Sequence, residues 1–503
     1  MKLHRLITLL TYLLLLLGCL CIVHFITKIA EPDLPYVTEE TETTDAAGES
    51  TPSDAESRPQ ESTPSDAWQK ETLPEVKEKT TTLPWIPPYE PEIEEPKGPP
   101  EIIFASDLHL LAENLFDGGE AFRKRIAADD GKLIPYVPQI LDAFFDEVIE
   151  EKPDALVLGG DLTFYGEKES HLQLSSMLKK VEDAGIDVVL VPGNHDINTR
   201  NAKSYLGKEA ELVQDITPEE FEQIYKDYGY EEAMCRDENS LSYIWELDES
   251  HWLMMLDSCQ YEPRNLVTGR IKTETLTWME ERLKEAKEQN IAVLPIAHHN
   301  ILDQSRLYTT ECKMDDNLRV VEVLEEYKIP LFLSGHMHLQ RIKKHQAEPG
   351  TDRAAYGISE IINTSFAMPP CQYGVLRWDE EGEMRYFART VDVERWAQRQ
   401  GGEVDENLLH FDEFSREFLR EVMAGKVGKE LENLPEDQVW AMTGLYAELY
   451  FDYCRGETVD EKEVKESRGY RFWERNRPDH RYRKEIDAMT ADMKQRNFKY
   501  STK

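Results

Sequence analysis

Five apolar segments of strand length, each ending in aspartate, asparagine or histidine, constrain the fold of this chain more than any other feature. They are EIIFASD (101–107), DALVLGGD (154–161), DVVLVPGNHD (187–196), IAVLPIAHHN (291–300) and IPLFLSGHMH (329–338). Helical patterns lie between several of them, around 136–151, 169–184, 274–289 and 315–327. Strands that alternate with helices predict an α/β protein whose sheet is buried on both faces. Because ligands in such folds bind beyond the carboxyl ends of the strands, the five polar termini are expected at one edge.

Local turn or capping preferences explain the polar residues at any one strand end, but they do not explain why all five strands end in this way. An aspartate after a strand is a common helix N-cap, and Asn194 suits an Asx-turn. The ordered series D-x-H, G-D, G-N-H-D, H and G-H-x-H, with every member at a strand end, instead indicates one shared site. The series predicts that Asn194 binds a metal and that His195 faces the substrate.

The residue types in this series suit a pair of divalent metal ions. Carboxylate, imidazole and amide oxygen without thiolate favour Mn, Fe, Zn or similar ions. Asp161 carries two oxygens and can bridge two ions, and Gly160, Gly193 and Gly335 let the backbone approach the site closely. Two ions about 3.5–4 Å apart stabilise the attacking and leaving oxygens of a displacement at phosphorus and acidify a bound water. The sequence therefore predicts two divalent ions as cofactors and a phosphorylated substrate.

These motifs resemble the calcineurin-like metallophosphoesterase family over about residues 100–390. The resemblance implies a double β-sheet sandwich flanked by helices. By the family's pattern, one ion would be held by Asp107, His109, Asp161 and His338, and the other by Asp161, Asn194, His298 and His336. The resemblance also implies that His195 contacts the phosphoryl group or protonates the leaving oxygen, with Asp196 orienting the site. More narrowly, GDLTFYGEKESH and PGNHDIN resemble the membrane-anchored phosphoesterases of Gram-positive bacteria.

The chain departs from the family's pattern at two places. Many members have His-His-Pro where this chain has His298, His299 and Asn300. His298 aligns with the usual ligand, and adjacent residues at a strand end point to opposite sides, so His298 rather than His299 is the predicted ligand. Phe164 stands where purple acid phosphatases have a metal-binding tyrosine, with Tyr165 one position late, which argues against that subgroup.

The amino terminus is predicted to be a separate segment. Lys2 and Arg5 precede an apolar run, Leu6 to Thr27, that contains no Asp, Glu, Lys or Arg. About 20 apolar residues span a bilayer, whereas the apolar core of a signal peptide has about 7–15. Residues 1–30 are therefore expected to be an uncleaved transmembrane anchor in the lipid bilayer, with the rest of the chain outside the cytoplasm. A cleaved signal peptide and a lipoprotein processed at Cys19 are the competing interpretations, and the apolar run beyond Cys19 disfavours the second.

Residues 31–99 are predicted to be a disordered, acidic linker rich in Pro, Thr and Ser. Residues 31–100 hold half of the chain's 26 prolines, and the heptad ESTPSDA occurs at 49–55 and again at 61–67. Such a segment buries too little apolar surface to offset the entropy lost on ordering. It is expected to act as an extended stalk, although a binding role for the repeated heptad is an alternative.

The globular part is predicted to comprise a metallophosphoesterase domain, residues 100–395, and a helical extension, residues 396–503. In the extension, aromatic and aliphatic residues recur at helical spacing in FDEFSREFLREVM, and VWAMTGLYAELYFDYC is a strongly apolar helical pattern. The stretch SRGYRFWERNRPDHRYRK (467–484) is the densest basic run. Two interpretations stay open for it: pairing with the acidic surface of the catalytic domain, which would dock the helical extension, or contact with a phosphate at the metal edge.

A long connection follows the first predicted strand. The segment LLAENLFDGGEAFRKRIAADDGKLIPY is long for a loop between a strand and a helix. It either lines the substrate pocket, with Arg123 and Lys124 contacting phosphate, or is a solvated surface excursion.

Charge and motifs together limit the function classes. The net charge of -40, from 98 acidic and 58 basic residues, argues against a nucleic-acid duplex or an anionic membrane surface as a general partner. The predicted function is metal-dependent hydrolysis of a phosphomonoester or phosphodiester outside the cell membrane. The alternative is a catalytically silent binding or scaffold module on the same fold, which the intact motifs disfavour. Oligomeric state has no signature in the sequence.

Overall fold

The computed structural model describes residues 80–83, 98–345 and 357–502. In chain order the strands are β1 (Thr80–Leu83), β2 (Glu101–Ala105), β3 (Ala155–Leu158), β4 (Asp187–Leu190), β5 (Lys203–Ser204), β6 (Glu211–Leu212), β7 (Cys235–Arg236), β8 (Tyr243–Asp248), β9 (His251–Leu256), β10 (Ala292–Ala297), β11 (Leu331–Ser334), β12 (Arg341–Lys344), β13 (Ser359–Ile362), β14 (Gln372–Trp378), β15 (Met384–Thr390), β16 (Gly402–Asp405) and β17 (Lys499–Ser501).

Thirteen α-helices lie in the described ranges. They are α1 (Glu120–Ala128), α2 (Val137–Glu151), α3 (Lys168–Asp183), α4 (Pro218–Ile224), α5 (Thr273–Gln289), α6 (Asn317–Glu326), α7 (Val393–Arg399), α8 (Glu406–Leu409), α9 (Phe411–Gly428), α10 (Glu436–Cys454), α11 (Glu461–Glu466), α12 (Arg468–Asn476) and α13 (Arg481–Asp492). The four predicted helical segments are confirmed as α2, α3, α5 and α6, with ends within about two residues.

Two large sheets confirm the predicted α/β double-sheet class. One sheet has the order β17-β15-β14-β2-β3-β4 and the other has the order β12-β13-β11-β10-β9-β8-β7. The five predicted strands are all present, but they divide between the sheets: β2, β3 and β4 run parallel in the first, and β10 and β11 run parallel in the second. The polar termini therefore meet from two sheet edges and not from one.

Strand alternation explains how one apolar run serves two hydrophobic cores. On β10, Leu294 and Ile296 belong to the large core, which both sheets share, whereas Val293 and Ala297 belong to a smaller core. The smaller core also contains residues of α5 and α6, so it covers the other face of the seven-stranded sheet. Successive side chains point to opposite faces of a strand, and an unbroken apolar run is the pattern of a strand buried on both sides.

Two short strands lie where the sequence predicted none. β1 falls inside the segment predicted to be a disordered linker, and it pairs antiparallel with β16. β17 lies at the end of the predicted helical extension and pairs antiparallel with β15, so it forms one edge of the six-stranded sheet. The sequences TTTL and KYS contain no apolar run of strand length, so only pairing with a distant strand defines these two strands.

The basic run at 467–484 packs within the extension. Trp473 is fully buried, Tyr470 and Tyr482 are buried, and Arg468 and Arg481 form ion pairs with Asp437 and Glu430. Both partners belong to the extension itself, so these ion pairs hold the run within the extension and not on the acidic surface of the catalytic domain that the docking interpretation predicts.

The predicted anchor, residues 1–30, and most of the predicted linker lie outside the described residues. In the described ranges, no helix has both the length and the apolar composition needed to cross a bilayer.

Candidate metal centre

The predicted ligands stand on strained backbone. Five of the seven have positive φ: Asp107 (58°), His109 (47°), Asp161 (50°), His336 (72°) and His338 (54°). Residues other than glycine adopt this conformation rarely and at a cost of roughly 1–3 kcal/mol each, and such strain concentrates at functional sites. Backbone hydrogen bonds fix it, since the N–H groups of Asp107 and His109 donate to the carbonyls of Gly160 and Asp161 at 2.9 and 3.0 Å.

One cluster gathers the residues predicted for the first ion. Asp107, His109, Asp161 and His338 each offer a ligand atom, and these atoms lie within 4.8 Å of one another. The Nε2 atom of His338 is 3.4 Å from Oδ1 of Asp107 and 3.0 Å from Nε2 of His109. Two imidazole nitrogens that face each other so closely are the arrangement expected of two ligands of one cation.

The residues predicted for the second ion meet around the side-chain oxygen of Asn194. This oxygen is 3.2 Å from Nε2 of His298 and 3.0 Å from Nδ1 of His336. The Oδ1 atom of Asp161 is 3.3 Å from Nε2 of His298, whereas its Oδ2 atom is 3.9 Å from Nε2 of His109. Asp161 therefore presents one oxygen to each cluster, as a bridging carboxylate requires.

Hydrogen bonds outside the clusters fix the histidine tautomers in the form that binds metal. The outer ring nitrogens of His298, His336 and His338 pair with the Gly159 carbonyl at 2.9 Å, the Glu311 carbonyl at 2.8 Å and the Asp130 carboxylate at 3.1 Å. Each outer N–H donates to an oxygen, so in the neutral ring the lone pair lies on the inner nitrogen and points toward the cluster. The donor set of carboxylate, imidazole and amide oxygen fits divalent ions.

The glycines beside the ligands are required by close packing. A Cβ at Gly193 would lie 2.2 Å from Oδ1 of Asp161, and one at Gly160 would lie 2.8 Å from Nδ1 of His298. A side chain at either position would displace a predicted ligand. The close approach predicted from the sequence is therefore present.

His298 and His299 both lie near the second cluster, and their hydrogen bonds distinguish them. His299 Nδ1 is 2.8 Å from Oγ of Ser258 and its Nε2 is 2.9 Å from the Val267 carbonyl, so both ring nitrogens have protein partners. His299 also offers a ligand atom beside those of His298 and His336. The two adjacent rings therefore do not point to opposite sides, contrary to what strand alternation predicts. With one nitrogen on Gly159 and the other on Asp161 and Asn194, His298 has the geometry of a ligand.

Buried polar groups join the loops that follow β10 and β11. Nδ2 of Asn300 donates to Oγ of Ser334 at 2.8 Å and to the Gly335 carbonyl at 3.1 Å. The carboxylate of Glu360 accepts the N–H groups of residues 301–302 and the Ser334 hydroxyl, all at 2.8 Å. A proline at 300 would lack the amide that makes the first two bonds, so asparagine has a structural role here.

Electrostatics divide the histidines into two groups. Burial lowers the pKa of His298, but Asp161, Asp107 and the Gly159 carbonyl together outweigh burial and raise it to about 9. Burial and Lys132 lower the pKa of His338, yet Asp107 and Asp130 raise it to about 9. Burial lowers the pKa of His336 to about 4, and it also lowers the pKa of His195.

The predicted catalytic residues, His195 and Asp196, are adjacent in the loop after β4, and their side chains have different partners. The backbone N–H of His195 donates to Asp161 at 2.8 Å, and its Nδ1 lies 2.7 Å from the Phe164 carbonyl. Nε2 is therefore free to face the cluster, 4.0 Å from Asp161, and the side chain is 24% exposed. The Asp196 carboxylate instead accepts backbone N–H groups from Leu162, Thr163 and Gly193. These contacts make Asp196 a positioning residue for the loops, while the Phe164 carbonyl orients His195.

The loop after β2 contributes residues that the sequence did not identify. Asp130 lies against His338, and Nζ of Lys132 is 2.6 Å from Asp130. Arg125 donates to the Tyr165 hydroxyl at 2.9 Å, and the Tyr165 ring centroid is 4.7 Å from that of His195. The signal that could have found Asp130 is the acidic pair followed by Gly-Lys in a loop of unusual length.

Arg123 and Lys124 have the exposure that the alternative of a solvated surface excursion predicts. Both are exposed on α1, and Arg123 donates to the Gly118 carbonyl at 2.7 Å. The neighbouring Arg125 points to the other side of the helix and reaches Tyr165. Of the basic residues on α1, Arg125 is therefore the one that contacts Tyr165, the residue beside His195.

Comparisons with known proteins found two family models that match parts of this chain and several solved structures that are similar to it. Residues 100–340 match the family model described as calcineurin-like phosphoesterase, and residues 392–496 match the model of the C-terminal domain of cyclic nucleotide phosphodiesterase. Among solved structures, a dimetal phosphatase from Danio rerio is similar at 12% identity and a TM-score of 0.43, over 61% of this chain and 99% of the other. A purple acid phosphatase from yellow lupin (Lupinus luteus) has 11% identity and a TM-score of 0.38, over 62% of this chain and 55% of its own.

A comparison with curated proteins found no match. The family model covers the part of the chain that contains both histidine and aspartate clusters, and the family implies divalent metal ions. Residues 100–340 therefore correspond to a calcineurin-like phosphoesterase domain.

Proposed function

We propose that the protein hydrolyses phosphoester bonds with two divalent ions, held by Asp107, His109, Asp161 and His338 and by Asp161, Asn194, His298 and His336. The position of Asp161, with one carboxylate oxygen toward each cluster, carries this proposal. When bound, two such ions would supply positive charge to the reacting phosphoryl group and acidify a water molecule.

His195 has the geometry of the residue that assists the leaving group. Its Nδ1 is occupied by the Phe164 carbonyl, so Nε2 is the atom that meets the substrate. Because burial lowers its pKa, Nε2 of the neutral ring accepts a hydrogen bond, and it must take up a proton there before it can pass one to the leaving oxygen. The Tyr165 ring and Arg125 behind it restrict the motion of the imidazole.

Phosphodiesters are the substrate class to examine first. The carboxyl-terminal match to a domain of cyclic nucleotide phosphodiesterase supports a diester, whereas the metal clusters alone suit monoesters and diesters equally. The test is turnover of bis-p-nitrophenyl phosphate, p-nitrophenyl phosphate and cyclic AMP by protein loaded with Mn²⁺, Zn²⁺ or Fe²⁺. Turnover of at least one ester that disappears with chelation is expected.

The competing function is a silent binding module on the same fold. Metal binding without turnover of any ester, for any of the three ions, would favour it. The intact ligand set and the fixed histidine tautomers support the enzyme, because a site without catalytic function has no need of them.

Display of the catalytic domain outside the cell membrane is a separate part of this proposal. Its support is the apolar run from Leu6 to Thr27 behind basic residues. Protease treatment of intact cells tests it: an extracytoplasmic domain is cleaved, and a cytoplasmic one survives until the cells are lysed.

A further inference from the structure

The carboxyl end of α10 contacts both loops that carry histidines after β10 and β11. The Tyr453 hydroxyl lies 2.6 Å from Oγ of Ser305 and donates to Asp492 at 2.8 Å. The next residue, Cys454, accepts the backbone N–H of Gln340 at 2.8 Å. One turn of the extension thus holds two separate segments of the phosphoesterase domain.

The first segment leads to His336. Ser305 accepts the N–H groups of residues 307 and 308, both at 2.9 Å, and the N–H of Arg306 donates to Asp492 at 2.7 Å. Further along the same loop, the Glu311 carbonyl pairs with the outer ring nitrogen of His336 at 2.8 Å. The conformation of this loop therefore determines where His336 directs its other nitrogen.

The second segment begins two residues after His338. Nε2 of Gln340 donates to the Asn497 carbonyl at 2.9 Å, in addition to the bond from its backbone to Cys454. The Arg341 guanidinium lies 4.4 Å from the centre of the Tyr453 ring. Gln340, Tyr453 and Cys454 are all fully buried, so water does not replace these contacts when one is lost.

We propose that Tyr453 and Asp492 of the carboxyl-terminal extension are positioning residues of the metal centre, which keep His336 and His338 in place through the loops at 303–311 and 340–341. The inference rests on the ligand set in the proposed function. It gives the extension a role in metal affinity, and it requires no contact between the extension and the substrate.

The experiment measures Mn²⁺ binding by calorimetry and metal analysis in the full-length chain after treatment with chelator. Tyr453→Phe removes the hydroxyl and keeps the ring against Arg341. We expect roughly tenfold weaker binding of one of the two ions, at the low end of the 10–100-fold effect of altered groups behind a ligand. Asp492→Asn, which keeps the side-chain shape, is expected to weaken the same ion.

Tyr470→Phe is the matched control. Tyr470 is also buried, and its hydroxyl donates to an aspartate, Asp487, at 2.7 Å, but both residues lie within the extension. The control should lose a similar amount of thermal stability and bind both ions as the unaltered protein does. Equal Mn²⁺ affinity in Tyr453→Phe and Tyr470→Phe would overturn the inference.

His336→Ala separates the two proposals. If His336→Ala weakens Mn²⁺ binding while Tyr453→Phe and Asp492→Asn do not, the ligand set stands and only the role of the extension is wrong. If His336→Ala leaves Mn²⁺ binding unchanged, the ligand set itself fails and the inference fails with it.

Discussion

Asp161 is the residue on which both metal clusters depend. It is 2% exposed, and the histidines around it hold its pKa well below the usual value despite burial, so its charge is present across the accessible pH range. Asp161→Ala is expected to abolish turnover and to weaken both ions by more than about 100-fold, since it removes a ligand itself and not a group behind one. Metal analysis after dialysis measures the loss.

Asp237→Ala is the control for the loss of a buried carboxylate. Asp237 accepts hydrogen bonds from Ser240 and Thr275, away from the clusters. It should lose stability and keep both ions. Retention of either ion in Asp161→Ala would show that the carboxylate does not bridge.

Loss of the His195 side chain is expected to lower the rate without the loss of metal expected for Asp161→Ala. His195→Ala should retain both ions, because its ring nitrogens face the Phe164 carbonyl and the open side of the site. The rate should fall by about 10²–10⁴, the usual contribution of acid–base assistance. Steady-state kinetics combined with metal analysis test this pair of expectations, and an empty metal site in this variant would contradict the assigned role.

Proton release on metal binding follows from the pKa values of His298 and His338. Both are raised to about 9 in the metal-free protein, so both rings are protonated at pH 7. A cation binds only the neutral imidazole, so each ring must lose a proton and affinity must fall as pH falls. Below pH 9, Mn²⁺ affinity should rise by about tenfold per pH unit for each histidine that loses a proton. Titration at several pH values measures the slope, and a flat profile between pH 6.5 and 8.5 would contradict the expectation.

At the scale of elements, strand β13 supports the ligand loops through one carboxylate. Glu360 is fully buried and accepts hydrogen bonds from the loop after β10 and from Ser334 at the end of β11. Glu360→Gln places an amide N–H₂ against these donors, which should cost about 3 kcal/mol of the free energy of unfolding. Urea unfolding measures this, and Glu280→Gln on the exposed face of α5 is the control. A change as small as the control's would show that the loops do not depend on Glu360.

Elements with strong local patterns could be predicted, and those that depend on distant partners could not. The strand ends at Asp107, Asp161 and Asn194 were evident because an apolar run and a polar terminus are adjacent in the sequence. Asp130 and Glu360 gave no such signal, since each acts on a loop far away in the chain. The division of the five strands between two sheets was likewise a property of the tertiary fold, which the family resemblance supplied and the periodicity did not.

At the scale of the whole molecule, the extension and the phosphoesterase domain share a sheet. β17 pairs with β15, and the Tyr500 hydroxyl donates to Oγ of Ser359 at 2.9 Å on the strand that also carries Glu360. Main-chain pairing of this kind leaves an unpaired strand edge when one partner is removed. The predicted boundary near residue 396 therefore marks a change in amino-acid composition. It does not mark the end of the six-stranded sheet, which includes strands from both sides of it.

The basic run at 467–484 packs within the extension, and two variants separate this structural role from a role in substrate binding. Trp473 is fully buried and its indole N–H donates to the Met442 carbonyl at 3.1 Å, whereas Arg471 and Arg475 are exposed. Trp473→Ala should cost roughly 3–5 kcal/mol of stability, because it leaves a large cavity between α12 and α10. Replacing both arginines with alanine should change the melting temperature little and leave the KM for bis-p-nitrophenyl phosphate unchanged. Thermal unfolding and steady-state kinetics on the two variants give the answer. A raised KM in the double arginine variant, at an unchanged melting temperature, would assign the run to the substrate and contradict a purely structural role.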